Sequence, residues 1–170
     1  MLNSAQAGYI RTELLIGTMI GGVVSGAFCA AIFAKASVIT ANDITFDAIP
    51  HSFMLTLMAI LVPSQITKSR VRRGLVAPLP VERLPLLKRH LLIGSMATAA
   101  AMTVAGYALH AILLPIVGPA VWPLWMLLAF KIAYGMIICL LIGRWVLKSA
   151  LSELKPLIQD FESAAEKRAA

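Results

Sequence analysis

The sequence predicts an all-α integral membrane fold: a four-helix bundle made of two tandem parallel-repeat hairpins, with a short amphipathic C-terminal helix. Three observations predict it. Apolar residues make up 59% of the 170 residues and charged residues only 14%, and mean hydropathy is +0.85. A soluble domain has about 45–50% apolar and about 25% charged residues. The excess gathers into four runs, Leu14–Ala34, Ile49–Thr67, Leu91–Ile116 and Val121–Leu147. Each is about as long as, or longer than, the roughly 20 residues that cross about 30 Å of hydrocarbon. Finally, the opening of the first run, Leu14-Leu15-Ile16-Gly17-Thr18-Met19, recurs as Leu91-Leu92-Ile93-Gly94-Ser95-Met96. The closing ends match too, Ile66-Thr67-Lys68-Ser69 against Val146-Leu147-Lys148-Ser149. Two hairpins entering from the same side are parallel repeats, related by an axis along the membrane normal.

The first run is too long for the 7–15-residue core of a signal peptide and has only Arg11 ahead of it, so it is expected to stay as a span. It carries two overlapping GxxxG motifs, Gly17–Gly21 and Gly22–Gly26. Small residues let helix backbones approach closely where lipid removes the hydrophobic drive to associate. The third run is rich in Ala, Ser and Thr, whereas the second and fourth are bulkier. The first and third helices are therefore expected at the centre of the bundle. The same glycine face would also serve a homodimer.

The second run starts with His51, Ser52 and Thr56 and has Pro63 and Gln65 near its end. A re-entrant segment is the competing assignment, but Phe53–Val62 is apolar apart from Thr56, which favours a full span. The loop after it, 68–90, holds Lys68, Arg70, Arg72, Arg73, Arg83, Lys88 and Arg89 against Glu82. Basic loops stay cytoplasmic. Both termini are then cytoplasmic and the chain belongs in a membrane such as the bacterial inner membrane. Net charge of +7 is thus spent on topology and not on nucleic acid, since no aromatic residue lies among the arginines to stack on a base. Arg70, Arg72, Arg73 and Arg89 are expected to meet anionic headgroups, at about 1 kcal/mol each.

In the fourth run, Trp122 and Trp125 mark the outer interface and Trp145 the inner one, as aromatic belts do. Between them stands Lys131, the one charge deep within an apolar run, Arg144 lying at the end of the fourth. At about 1.5 Å per residue it lies roughly 15 Å from the outer end. Tyr107 and His110 of the third run fall at a similar level, with His51 and Asp47 just above. These five residues are the candidate intramembrane polar site. Its functional use would be proton, anion or headgroup handling, open to the outside, with Lys131 as cation and Asp47 as counter-ion. The simpler expectation is that Lys131 snorkels to the outer headgroups.

Other chemistry finds little support. His51 and His110 on separate helices are too few for a haem protein of that type. Cys29 and Cys139 join no histidine in a zinc spacing and sit at different depths, so free thiols are expected. No phosphate loop, HExxH or GxSxG motif occurs. No catalytic, metal or cofactor-binding residue is assigned. The segment 148–170 carries Leu151, Leu154, Ile158, Phe161 and Ala165 at helical steps, interrupted by Pro156. It is expected as a cytoplasmic amphipathic helix following the 1–147 span domain.

The function expected from this is that of a non-enzymatic multi-pass membrane protein, an accessory or structural subunit of a membrane assembly. The alternative is a small transporter or permease working at the Lys131 level. A transporter should show a water-reachable cavity among the first, third and fourth helices with Lys131 facing inward; an accessory subunit should have a dry centre with Lys131 turned outward or toward a partner.

Overall fold

In a computed structural model the described residues are 4–76 and 91–152. They form four helices, α1 (Ser4–Phe33), α2 (Ala41–Arg72), α3 (Leu91–Val117) and α4 (Leu124–Ser152), with no strand among them. All four are long and apolar enough to cross a membrane. The basic loop beyond Val76, with Arg89, and the segment 153–170 lie outside the described residues.

Each helix covers most of one apolar run; α1 and α2 start earlier than their runs, and α2 and α4 end later. Helix α2 starts at Ala41, eight residues before the apolar run. Thr40 caps it: its hydroxyl accepts from the Asp43 backbone N–H, while the Asp43 carboxylate accepts from the Thr40 backbone N–H at 2.9 Å. That reciprocal capping box satisfies N-terminal donors that a helix otherwise leaves bare. It brings Asp47, which precedes the apolar run, into the helix. Pro50 and Pro63 are both absorbed within the same helix, so the re-entrant alternative is not adopted. At the other end, Leu75 N–H bonds the Arg70 carbonyl and Gly74 N–H the Val71 carbonyl. Gly74 takes φ 72°, the left-handed conformation such a terminus needs.

Helix α1 starts ten residues early, at Ser4. Its added turns have partners beside them. Tyr9 hydroxyl meets Thr67 Oγ1 at 3.1 Å, and Glu13 pairs with Arg70, whose guanidinium also lies over the Tyr9 ring.

The packing order corrects the expectation about the centre. Helices α2 and α4 form the middle; α1 packs chiefly on α4, and α3 chiefly on α2. The spanning window of α3 is the least buried of the four and that of α2 the most. The small-residue faces serve peripheral helices docking on central ones. A Cβ at Gly22 or Gly26 would press on Met136 or Ile132 of α4, and one at Gly21 would collide with Cys139. Helix α4 answers with its own glycine, Gly135, against Ser25. Close approach depends on small residues on either side of a contact, and bulky neighbours on α4 do not exclude it. Gly17 differs: a Cβ there meets nothing within 4 Å, so it is not part of the seam.

Three apolar layers stack along the bundle. Ile10, Val71, Leu147 and Leu151 close one end, which places the start of α1 beside the ends of α2 and α4. Leu55, Ile60, Tyr134 and Ile138 lie in the middle layer. Cys29, Ile44, Leu114, Trp122 and Leu127 close the other end, where the backbone of Trp122 donates to the Ile39 carbonyl at 2.8 Å and ties the two short loops together. Trp122 is thus buried and packs on Phe130; only Trp125 faces outward at that end. The two cysteines are free and lie in different layers.

Candidate functional site

Between the middle layer and the loop-end layer, the bundle holds a polar cluster drawn from all four helices. Its centre is Lys131 of α4, the largest side chain to be completely buried. Lys131 Nζ lies 2.7 Å from Asp47 Oδ2. The expectation that Lys131 snorkels is overturned. The ammonium turns inward because α2 begins early enough to deliver a carboxylate at its level. A lone cation in hydrocarbon costs several kcal/mol; a neutral pair inside the bundle removes the net charge.

The pair is satisfied electrostatically but sparsely hydrogen-bonded. At 2.7 Å the ion contact lacks good hydrogen-bond alignment, and no other protein group bonds Asp47 Oδ1. Such a pair repays its desolvation only when the remaining lone pairs are also met.

Two histidines flank it. His51, one helical turn after Asp47, places Nε2 3.2 Å from Ser25 Oγ of α1, while its Nδ1 has no protein partner. His110 of α3 places Nδ1 2.7 Å from the Gly106 carbonyl. A carbonyl only accepts, so Nδ1 must carry the proton. In the neutral ring Nε2 is then a bare lone pair, and it too is buried without a partner. Both rings lean on Tyr134 of α4, with centroids at 6.0 Å from His51 and 4.7 Å from His110. Tyr134 hydroxyl shares a 2.6 Å hydrogen bond with Ser52 Oγ.

Gly106 makes this approach possible. A Cβ there would collide with the Tyr134 hydroxyl and come to 2.7 Å from Ser52 Oγ. The absent side chain brings α3, and with it His110, against the cluster.

Of the five residues singled out in the sequence, four converge: Asp47, His51, His110 and Lys131. Tyr107 does not. It is 38% exposed and faces Phe46 on the outer surface, with ring centroids 6.4 Å apart. Depth along a helix does not fix azimuth, and Tyr107 lies three residues from His110 on a helix with only a narrow buried seam: Ser95, Ala99, Gly106, His110 and Leu114. Sequence reasoning passed over Tyr134 and undervalued Ser25 and Ser52. Tyr134 was legible, being three residues after Lys131 and so on the same helix face. Among the described residues, no three His, Cys, Asp or Glu side chains are arranged to hold a metal ion.

Arg72 and Arg73 are exposed at the basic end, and Arg70 is partly covered by its pairing with Glu13. No family model, curated protein or solved structure matches the chain.

Proposed function

We propose that this is a non-enzymatic multi-pass membrane protein in which the buried Asp47–Lys131 pair is a working site for proton or ion exchange, as in a small transporter. One observation carries the reading: an oppositely charged pair lies wholly inside the spans, beside two histidines each with a free ring nitrogen. Intramembrane ionisable groups are costly and are kept mainly for transport and proton relay. A proton moving among His51, His110, Lys131 and Asp47, or an anion competing with Asp47 for Lys131, would reset the pair. In this reading the buried polar groups stand for an occluded state.

The tandem repeat belongs to this proposal. Exchanging α1 with α3 and α2 with α4 keeps the main packing, an outer helix on each side of the α2–α4 pair, but not the contact of α1 with α2, which α3 and α4 do not repeat; a pseudo-twofold axis would relate the main pattern only. The closing ends match at Ser69 and Ser149, an offset of 80 (149 − 69), and the same offset (131 − 51) sets His51 against Lys131. Equivalent positions of the two central helices thus each contribute a titratable group near the axis. Orientation is proposed from the positive-inside rule: basic end and both termini cytoplasmic, in a membrane such as the bacterial inner membrane.

A second reading, an accessory subunit, is favoured by the wide apolar surface of α1 and α3, including Val23, Val104 and Ile112. That surface is also what lipid alone requires. Charge-displacement recording on protein reconstituted into a supported membrane separates the two. Transporter action predicts a transient current on a pH or anion jump that Lys131→Met and Asp47→Asn abolish. A folded wild-type protein with no current above empty membranes favours the accessory reading.

A further inference from the structure

On the side of the bundle away from α3, α1 and α2 part and leave a cavity of about 270 Å³ that opens sideways. Its walls include Gly17 and Ile20 of α1 with Met58 and Val62 of α2, and its floor is Cys139 and Gly143 of α4. The gap is bounded by polar links between α1 and α2. Ser25 to His51 closes it near the middle of the span. Tyr9 to Thr67 and Glu13 to Arg70 close it at the basic end.

We infer that this groove holds one acyl chain of an anionic phospholipid from the leaflet at the basic end. Length is the first argument. The lining runs from Glu13 to Val24 on α1 and from Leu55 to Ile66 on α2, twelve residues on each, a rise of about 16 Å. One leaflet contributes about 15 Å of hydrocarbon, half of the roughly 30 Å core. A partner helix crossing the whole membrane would need a groove of twice that length, and this one stops at Ser25–His51. Charge is the second argument. Glu13 is neutralised by Arg70 at the basic end of the groove, and Arg11, Arg72 and Arg73 are exposed at the same end. They give the headgroup position a positive field, each near-surface cation contributing about 1 kcal/mol toward an anionic lipid. Gly17 supplies the third. It lies in the GxxxG stripe yet touches no helix: a Cβ there would stand in open space. Its missing side chain widens the groove instead of tightening a seam.

Native mass spectrometry of the purified full chain tests this, with phosphatidylglycerol and phosphatidylcholine of identical chains as the probes. Wild type should retain one phosphatidylglycerol in preference to phosphatidylcholine. Gly17→Phe fills the groove from α1, and Val62→Phe fills it from α2. Each should lower adduct occupancy by about tenfold, equivalent to roughly 1.4 kcal/mol, whereas Val23→Leu, on an exposed face, should not. Exchanging Arg11, Arg72 and Arg73 for Gln should erase the headgroup preference while an adduct persists. Unchanged adducts in folded Gly17→Phe and Val62→Phe would overturn the proposal. So would an equal loss in Val23→Leu, or a dimer that either groove-filling variant splits without changing lipid content. Lys131→Met should keep the adduct, which separates this site from the ion-pair site.

Discussion

Lys131→Met perturbs the centre of the bundle while nearly preserving side-chain length. At 2.7 Å and an effective dielectric of about 20, the pair attracts by about 6 kcal/mol before desolvation is subtracted. The variant strands the Asp47 carboxylate in an apolar interior, and breaking a buried pair this way costs about 3–5 kcal/mol. Lys131→Met should therefore lower stability by about 4 kcal/mol. At the 2–4 °C per kcal/mol expected for a chain of this size, that is roughly 10 °C in Tm. Adding Asp47→Asn removes the stranded charge and should return Tm close to wild type. Thermal unfolding in detergent, followed by tryptophan fluorescence, measures all three proteins. A single variant as stable as wild type would refute the buried-pair argument.

Gly135→Leu should force α1 away from α4 at Ser25 and cost about 1–3 kcal/mol by overpacking, whereas Gly17→Ala should be neutral or gain up to about 1 kcal/mol in helix propensity; chemical unfolding of both checks the contrast. Gly106→Ala should disturb the Tyr134–Ser52 hydrogen bond and shift the histidine ring signals of His110 in NMR while leaving helix content by circular dichroism unchanged. Glu13→Gln should change stability by less than about 1 kcal/mol, because its partner Arg70 is 40% exposed and such pairs are screened. Single cysteines replacing Arg73 and Val38 in a background lacking Cys29 and Cys139 should label from opposite sides of the membrane, with Arg73 protected in intact cells; external labelling of Arg73→Cys would reverse the proposed orientation.

The amino-acid sequence by itself determined that there are four helices long and apolar enough to span a membrane. Hydrocarbon leaves a backbone few ways to satisfy its hydrogen bonds, so apolar length and helix are nearly equivalent there. It also placed Lys131, His110 and His51 near one level, because rise per residue converts position into depth. The early start of α2 was within reach too, in Thr40 and Asp43, a local capping pair overlooked beside the stronger hydropathy signal. Only tertiary structure decided which way those side chains face and which helices are central. Azimuth depends on which neighbour a helix packs against, and in a membrane that choice follows from close fit, not from burying apolar area. Hence Gly21, Gly22 and Gly26 dock α1 onto α4 and leave it at the periphery, Tyr107 turns to the outer surface, and Lys131 turns inward. A lysine's preference for the surface is a property of the residue; its burial here is a property of Asp47 arriving 2.7 Å away from another helix.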